Sequence, residues 1–135
     1  MIDLTNLENA YNSLNECYKD YKENQASSFL QYIADSCVKR FEYTLETSWK
    51  LFKKLLIEKY GKTDAELTMN NIFRFMQGYG YTENWENWKD YHEKRNSTAH
   101  EYNLIKARML IELVPEFLKD VEFLLSKLKE TNNAD

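Results

Sequence analysis

The scarcity of glycine and proline is the feature that most limits how this chain can fold. Its 135 residues include one proline and three glycines. A β-sheet protein needs a turn about every 8–12 residues, and many of those turns use one of these two residue types. The sequence therefore predicts long helices. A length of this order fits one domain, which we expect to extend over residues 1–135.

Apolar residues recur at spacings of three and four, the pattern of amphipathic helices. Thr5 and Glu8 form a capping-box pattern ahead of the first helix. Three further helices are predicted over residues 29–60, 69–76 and 104–128, and another follows Asn84 and reaches Arg95. Gly61 is expected to end the second helix, and Pro115 to kink the last one near 111–114.

Two of these helices have apolar faces that predict the core. The face of the second helix consists of Ile33, Cys37, Phe41, Leu45, Phe52 and Leu56. The face of the last consists of Ile105, Met109, Leu113, Phe117, Val121, Leu124 and Leu128. The predicted fold class is all-α, an up-and-down four-helix bundle of four to five helices, with residues 131–135 as a disordered tail. Because 20 aromatic residues exceed what one thin bundle needs, a homodimer is expected.

Composition limits the classes of function. A net charge of −4 gives no general attraction to nucleic-acid backbones, although a local basic site remains compatible with it. Cys17 and Cys37 match no metal-ligand spacing and are predicted to be reduced core thiols. The chain shows no signal-peptide pattern and no apolar run long enough for a membrane span. We therefore expect a cytoplasmic protein without a metal site, a cofactor or a membrane partner.

A second stripe on the long helix carries polar groups. Glu42, Glu46, Trp49 and Lys53 follow one another at spacings of four, three and four and share a face. Such a stripe is usually a solvated surface with ordinary charge pairs. An indole on that face favours burial instead, for example against a partner subunit.

Arg95 and His100 form the pair with the clearest chemical potential. An imidazole exchanges protons near neutral pH, and a guanidinium stabilises charge on a phosphate. Together they suffice for metal-free cleavage of RNA. On an ideal helix, however, five residues place two side chains about 140° apart, so the pair converges only if the helix ends between them or if two chains contribute.

Two motifs carry a resemblance to a known family. Arg95-Asn96 followed by His100-x-Tyr102 is similar to the R-x4-H-x-Y pattern of HEPN-domain toxins of the HepT group. The segment 40–50, RFEYTLETSWK, resembles the R-F-E-x-T-x-E-x-x-W-K segment of the related nucleotidyltransferase substrate-binding family. Ser48 stands where that family has alanine, a conservative change on a packed face. The resemblance extends from the first helix to about Lys129.

The resemblance implies a homodimeric bundle with a groove formed by both subunits and a minimal nucleotidyltransferase as partner. It assigns Arg95 and His100 as catalytic residues of a ribonuclease and Tyr102 as the hydroxyl that the partner modifies with AMP. Asn96 would orient or bind phosphate. Glu42, Glu46 and Trp49 would border the binding groove.

Three functions are compatible with these residues. The first is a ribonuclease toxin that AMP transfer to Tyr102 neutralises. The second is a non-catalytic subunit that binds a substrate or nucleotide for the nucleotidyltransferase, which the acidic charge and the two carboxylates favour. The third is a helical dimerisation module without chemistry, which would require the Arg95 and His100 side chains to be buried and paired. The role of His92, eight residues before His100, is left open.

Overall fold

The computed structural model describes residues 1–100 and 103–134, and every regular element in these ranges is a helix. Its elements are α1 (Thr5–Glu23), α2 (Leu30–Glu58), a 3₁₀ turn (Asp64–Glu66), α3 (Met69–Gly78), α4 (Trp85–His100), α5 (Leu104–Ile111) and α6 (Val114–Ala134). These ranges contain no strand, so the all-α prediction is confirmed. Over the same ranges, no helix is both long enough and apolar enough to cross a membrane.

The core is a cluster of aromatic rings at the meeting point of three helices. Phe41 of α2 lies 4.4 Å from Phe117 of α6, measured between ring centroids. Tyr91 and Trp88 of α4 lie 4.9 and 5.7 Å from the same Phe117 ring. All four side chains are buried. This cluster fixes the position of α4 between α2 and α6, which matters because α4 carries the predicted catalytic segment.

Two predicted helix boundaries are confirmed by their hydrogen bonds. Gly61 adopts a φ of 67°, and the Lys62 amide donates across it to the Leu56 carbonyl, which closes the end of α2. Such a positive φ is favourable only for a residue without a Cβ atom. At the start of α4, the Asn84 side chain accepts from the Glu86 amide at 3.0 Å. Polar caps of this kind satisfy amides that the helix itself leaves unpaired.

The predicted capping box at Thr5 and Glu8 is wrong. Helix α1 already includes Thr5, and the residue before it, Leu4, makes no side-chain cap. The Thr5 amide instead donates to the Asp3 carboxylate. The motif is ambiguous because any Thr followed three residues later by Glu fits it. A capping box does form at Thr63 and Glu66, where the 3₁₀ turn begins.

The predicted last helix is two helices, so the described residues contain six α-helices rather than four or five. Helix α5 ends at Ile111, and α6 begins at Val114 with Pro115 in its first turn. Proline is well tolerated there because the first amides of a helix have no partner within it. The break also turns α5, whose Ile105 and Met109 are 73% and 47% exposed instead of lying in the core.

The predicted disordered tail at residues 131–135 is wrong for residues 131–134. Helix α6 continues to Ala134, and two polar side chains hold it there. The Asn132 side chain both accepts from the Ile2 amide and donates to the Ile2 carbonyl, each at 2.9 Å. The Thr131 and Tyr81 hydroxyls lie 2.6 Å apart. A polar terminal segment is expected to fray only where its side chains have no such hydrogen-bond partners.

The two cysteines lie in the core between α1 and α2. Both side chains are buried and unbridged, with the Cys17 and Cys37 sulfurs 3.0 Å apart. Their predicted location in the apolar interior is confirmed.

Candidate functional site

A small cleft between α2 and α4 collects most of the predicted site residues. Its volume is about 80 Å³, and its lining residues are Glu42, Leu45, Glu46, Trp49, His92 and Arg95. The α2 members follow at spacings of three and four, which places them on one side of that helix. The structure therefore brings Glu42, Glu46, Trp49 and Arg95 together, and it adds His92.

Three polar side chains of α4 form a chain of hydrogen bonds beside this cleft. The Arg95 guanidinium donates to the Asn96 side-chain oxygen, with 3.4 Å between Nη1 and Oδ1. The Asn96 amide nitrogen lies 3.3 Å from Nε2 of His92. His92, Arg95 and Asn96 occupy positions i, i+3 and i+4, so their side chains emerge from one face of the helix. This spacing is the sequence signal that could have identified His92 as a site residue.

The charges of the cleft are set by close neighbours. The Lys50 ammonium lies 2.9 Å from the Glu46 carboxylate. Its hydrogen bond and charge, with a smaller contribution from Arg95, lower the pKa of Glu46. Burial and the charge of Arg95 lower the pKa of His92, against the opposing effect of Glu93. At neutral pH the cleft therefore combines an ionised carboxylate, a neutral imidazole and a cationic guanidinium.

His100 lies outside the cleft. It is the last residue of α4, and its side chain is exposed. Helix α4 is continuous from Arg95 to His100, so the two side chains diverge by about 140° instead of meeting across a helix end. Ala99, exposed and small, lies between their directions. Tyr102, the predicted AMP acceptor, lies outside the described residues.

Helix α4 is also anchored to α6, through the half-buried carboxylate of Asp120. Tyr91 donates from its hydroxyl to Asp120, and the Asn87 side chain donates to the same oxygen at 3.3 Å. Burial raises the pKa of Asp120, against the opposing effect of these two donors. Burial and the neighbouring Asp120 also raise the pKa of Tyr91. This network holds the helix that presents Arg95 and His92 to the cleft.

We expect Asp120→Asn to flatten the pH dependence of stability. An aspartate whose folded pKa is raised stabilises the fold fully below the unfolded value of about 3.9, and that contribution disappears as the pH rises through the folded value. Between pH 4 and 7 the free energy of unfolding of the wild type should thus fall relative to that of Asp120→Asn. The expected fall is about 1.4 kcal/mol for each unit by which the pKa of Asp120 differs between the folded and unfolded states. Urea unfolding at several pH values measures this difference.

An asparagine at position 120 keeps an oxygen that can accept from both Tyr91 and Asn87. Glu122→Gln is the matched control, because that carboxylate is exposed and accepts only the partly exposed Tyr11 hydroxyl. Parallel pH profiles for the wild type and Asp120→Asn would show that burial does not shift the titration of Asp120.

Comparison with known proteins places the chain in a family. Residues 2–130 match the family described as nucleotidyltransferase substrate binding protein like. The chain belongs to this family. A curated relative from Haemophilus influenzae, named probable ribonuclease HepT, is 26% identical over 119 residues, which cover 87% of this chain and 82% of the relative. The resemblance predicted from the two motifs is thereby confirmed at the level of the family.

Solved structures of similar proteins share the helical fold. One from Haemophilus influenzae, described as the fold of a substrate binding domain of a nucleotidyltransferase, superposes with a TM-score of 0.83 at 24% identity and covers 94% of this chain and 99% of its own. A Thermus thermophilus protein gives a TM-score of 0.64 at 26% identity, covering 85% of this chain and 98% of its own. Membership of the nucleotidyltransferase substrate-binding family supports a nucleotidyltransferase as the partner of the chain.

No metal centre is formed by the residues that the structure describes in this family member. Over residues 1–100 and 103–134, no group of three or more His, Cys, Asp or Glu side chains is placed to hold an ion. The cleft itself offers the Arg95 guanidinium, the His92 imidazole and the Glu42 and Glu46 carboxylates.

Proposed function

We propose that this chain is a cytoplasmic, metal-independent ribonuclease of the HepT kind, which a minimal nucleotidyltransferase inactivates by transferring AMP to Tyr102. The observation that carries the proposal is the arrangement of α4. It presents Arg95, partly exposed beside the cleft, and His100, exposed at the helix end, on either side of Ala99. The name of the Haemophilus influenzae relative, probable ribonuclease HepT, supports the same activity.

Arg95 and His100 have complementary roles in this reaction. The imidazole of His100 takes the proton from a ribose 2′-hydroxyl, whose oxygen attacks the adjacent phosphorus. The bond from phosphorus to the 5′-oxygen then breaks and that oxygen takes a proton from water, which leaves a 2′,3′-cyclic phosphate and a 5′-hydroxyl, while His100 returns its proton to solvent. Arg95 is a permanent, planar cation that stabilises the charge gathering on the phosphate oxygens. Asn96, hydrogen bonded to Arg95, helps to orient the guanidinium.

A homodimer would bring groups from two copies to one RNA strand. Within one chain the Arg95 and His100 directions diverge, whereas a second copy can supply the missing group from its own α4. The exposed apolar side chains of Ile105 and Met109 on α5, next to α4 in the sequence, provide a surface for such pairing. The proposed assembly is therefore a homodimer with the catalytic surface near its two α4 helices.

AMP on Tyr102 would inhibit by charge and by volume. The tyrosine lies two residues after His100, so a phosphate and an adenosine attached there would occupy the space that the RNA phosphate needs. Because Tyr102 is so close to His100 in the sequence, AMP on Tyr102 would block the site without any conformational change in the bundle.

Label transfer tests this assignment. The purified chain is mixed with a minimal nucleotidyltransferase and with ATP labelled at the α-phosphate. We expect label on this chain and more than about tenfold less on Tyr102→Phe. Tyr43→Phe is the matched control, because Tyr43 is 54% exposed but lies on α2, and it should accept label as the wild type does. Equal labelling of Tyr102→Phe and wild type would contradict the acceptor role.

A second function is favoured by the carboxylates of the cleft. Glu42 and Glu46 repel an RNA phosphate but suit a ligand that donates hydrogen bonds, so the chain could instead bind a substrate or nucleotide for the nucleotidyltransferase. Label that passes only to a third molecule, with no cleavage of RNA, would select this function. A module without chemistry is not favoured, because His100 is exposed and Arg95 is paired with a neutral side chain.

A further inference from the structure

His92 lines the cleft, although the proposed cleavage reaction does not use it. Its ring packs edge-on against Phe73 of α3, with 6.3 Å between the ring centroids. The charged groups that face it are Glu93 and Arg95 on its own helix and Glu42 and Glu46 across the cleft. The hydrogen bond that this half-buried imidazole can offer to a ligand depends on which ring nitrogen carries the proton.

The chain of hydrogen bonds on α4 fixes the tautomer of His92. A guanidinium can only donate, so the Asn96 atom beside Arg95 is the oxygen. The Asn96 amide nitrogen, which can only donate, therefore faces His92. Nε2 of His92 must accept this bond, and the ring proton is on Nδ1. The lowered pKa of His92 keeps this ring neutral at physiological pH.

The two walls of the cleft consequently present opposite hydrogen-bonding groups. On the α4 side, Arg95 and the His92 Nδ1–H are donors. On the α2 side, Glu42 is a half-buried carboxylate without a hydrogen bond or ion pair to the described residues, whereas Glu46 is engaged by Lys50. Trp49 adds a flat, partly buried indole to the α2 side. A ligand that fits must be flat and must carry an acceptor next to donors.

The volume also limits the ligand. About 80 Å³ is well below the about 300–1,000 Å³ of pockets that enclose a whole small-molecule ligand. It accommodates the edge of a base and leaves the ribose and phosphate outside. A phosphate group itself fits poorly, since two carboxylates line the cleft. Single-stranded RNA is commonly read in this way, by stacking on an aromatic side chain and by hydrogen bonds to the base edge.

We propose that the cleft binds the edge of a guanine, either in an RNA strand or in a free guanine nucleotide. Guanine presents the O6 acceptor beside the N1–H and N2–H donors. The His92 Nδ1–H donates to O6 and Glu42 accepts from N1–H and N2–H, while Arg95, which is partly exposed, stays available to the phosphate outside the cleft. Adenine offers a donor where guanine offers O6, so it meets the donors of α4 with a donor of its own. The inference deepens the proposed function and rests on it for the arrival of RNA or a nucleotide at this face.

Binding measurements with non-cleavable ligands test the proposal. Fluorescein-labelled 2′-O-methyl trinucleotides with a central guanine, hypoxanthine or adenine are titrated with the protein, and fluorescence anisotropy gives Kd. Hypoxanthine lacks the N2 amino group and so loses one bond to a carboxylate. We expect it to bind about 10- to 100-fold more weakly than guanine, and adenine at least as weakly. Competition by GMP against AMP separates a free nucleotide from an RNA strand as the source of the base.

Three variants assign the contacts. Glu42→Leu removes both acceptor oxygens and should abolish the preference for guanine over hypoxanthine, while Glu58→Leu, at an exposed position of α2 outside the cleft, should retain it. His92→Asn places an amide donor near the position of Nδ1 and should keep the preference for guanine over adenine, whereas His92→Gln should lose it. Circular dichroism establishes that each variant is folded, and the comparison of ligands on the wild type needs no variant.

The outcomes separate this inference from the proposed function. Equal wild-type affinity for guanine and adenine, or a preference for guanine over hypoxanthine that survives Glu42→Leu, overturns the inference. Cleavage of matching 2′-hydroxyl RNAs is measured alongside. Cleavage without base preference supports the ribonuclease and rejects the guanine site. Guanine-specific binding without cleavage supports the guanine site, rejects the ribonuclease and favours the substrate-binding subunit.

Discussion

Replacing His100 by alanine is expected to lower the rate of RNA cleavage by about 10²- to 10⁴-fold, the usual contribution of a positioned acid–base group. The imidazole is exposed at the end of α4, so its loss should change the free energy of unfolding by no more than about 0.5 kcal/mol. A fall in activity without a fall in stability identifies a chemical role. The measurement is the cleavage of end-labelled RNA by purified protein, with thermal unfolding of the same samples.

Arg95→Lys is the companion variant. Lysine keeps the positive charge but loses the planar fork that can hold two phosphate oxygens, and it removes the bond that orients Asn96. We expect it to lower the rate as well, by less than His100→Ala does. Arg108→Ala is the matched control, since Arg108 is an exposed arginine on α5 outside the cleft. Unchanged cleavage by His100→Ala would reject the ribonuclease mechanism.

The core of α2 could be predicted from spacing because that helix is long and regular. Phe41, Leu45 and Phe52 recur near the helical period, and all three are buried. The same reasoning failed for Ile105 and Met109, which continue the apolar spacing of α6 but are exposed. Spacing predicts a common face only on an uninterrupted helix. The break before Val114 changes the direction of α5, and sequence alone does not specify the angle.

The α2 side of the site was more predictable than the α4 side. The stripe of Glu42, Glu46 and Trp49 could be predicted as a shared face, but the sequence did not specify which helix would cover it. The structure supplies Arg95 and His92 from α4, and this pairing depends on how the aromatic cluster packs the helices. The hydrogen bond between Asn96 and His92 was equally inaccessible, because a helical spacing of four allows a contact without requiring one.

Trp88 is the residue whose loss should damage this packing most. Its side chain is fully buried, lies 5.2 Å from the Phe52 ring and 5.7 Å from the Phe117 ring, and donates from Nε1 to the Thr82 hydroxyl at 2.9 Å. Trp88→Ala creates a cavity and leaves a buried hydroxyl with one partner fewer. We expect the free energy of unfolding to fall by about 3–5 kcal/mol, measured by urea denaturation. That is a large share of the about 5–15 kcal/mol available to a typical domain.

Trp85→Ala provides the matched control one turn earlier on α4. Its indole is only partly buried, and its main polar contact is the Arg74 guanidinium, 4.5 Å from the ring centroid. Exposed contacts of this type contribute about 0.5–1 kcal/mol, so the variant should lose about 1 kcal/mol. Equal losses for the two variants would contradict the role of Trp88 as the centre of the cluster. Because Trp88 holds α4 against α2, Trp88→Ala should also weaken binding in the cleft, whereas Trp85→Ala should leave it intact. The position of the cleft is thus a consequence of core packing.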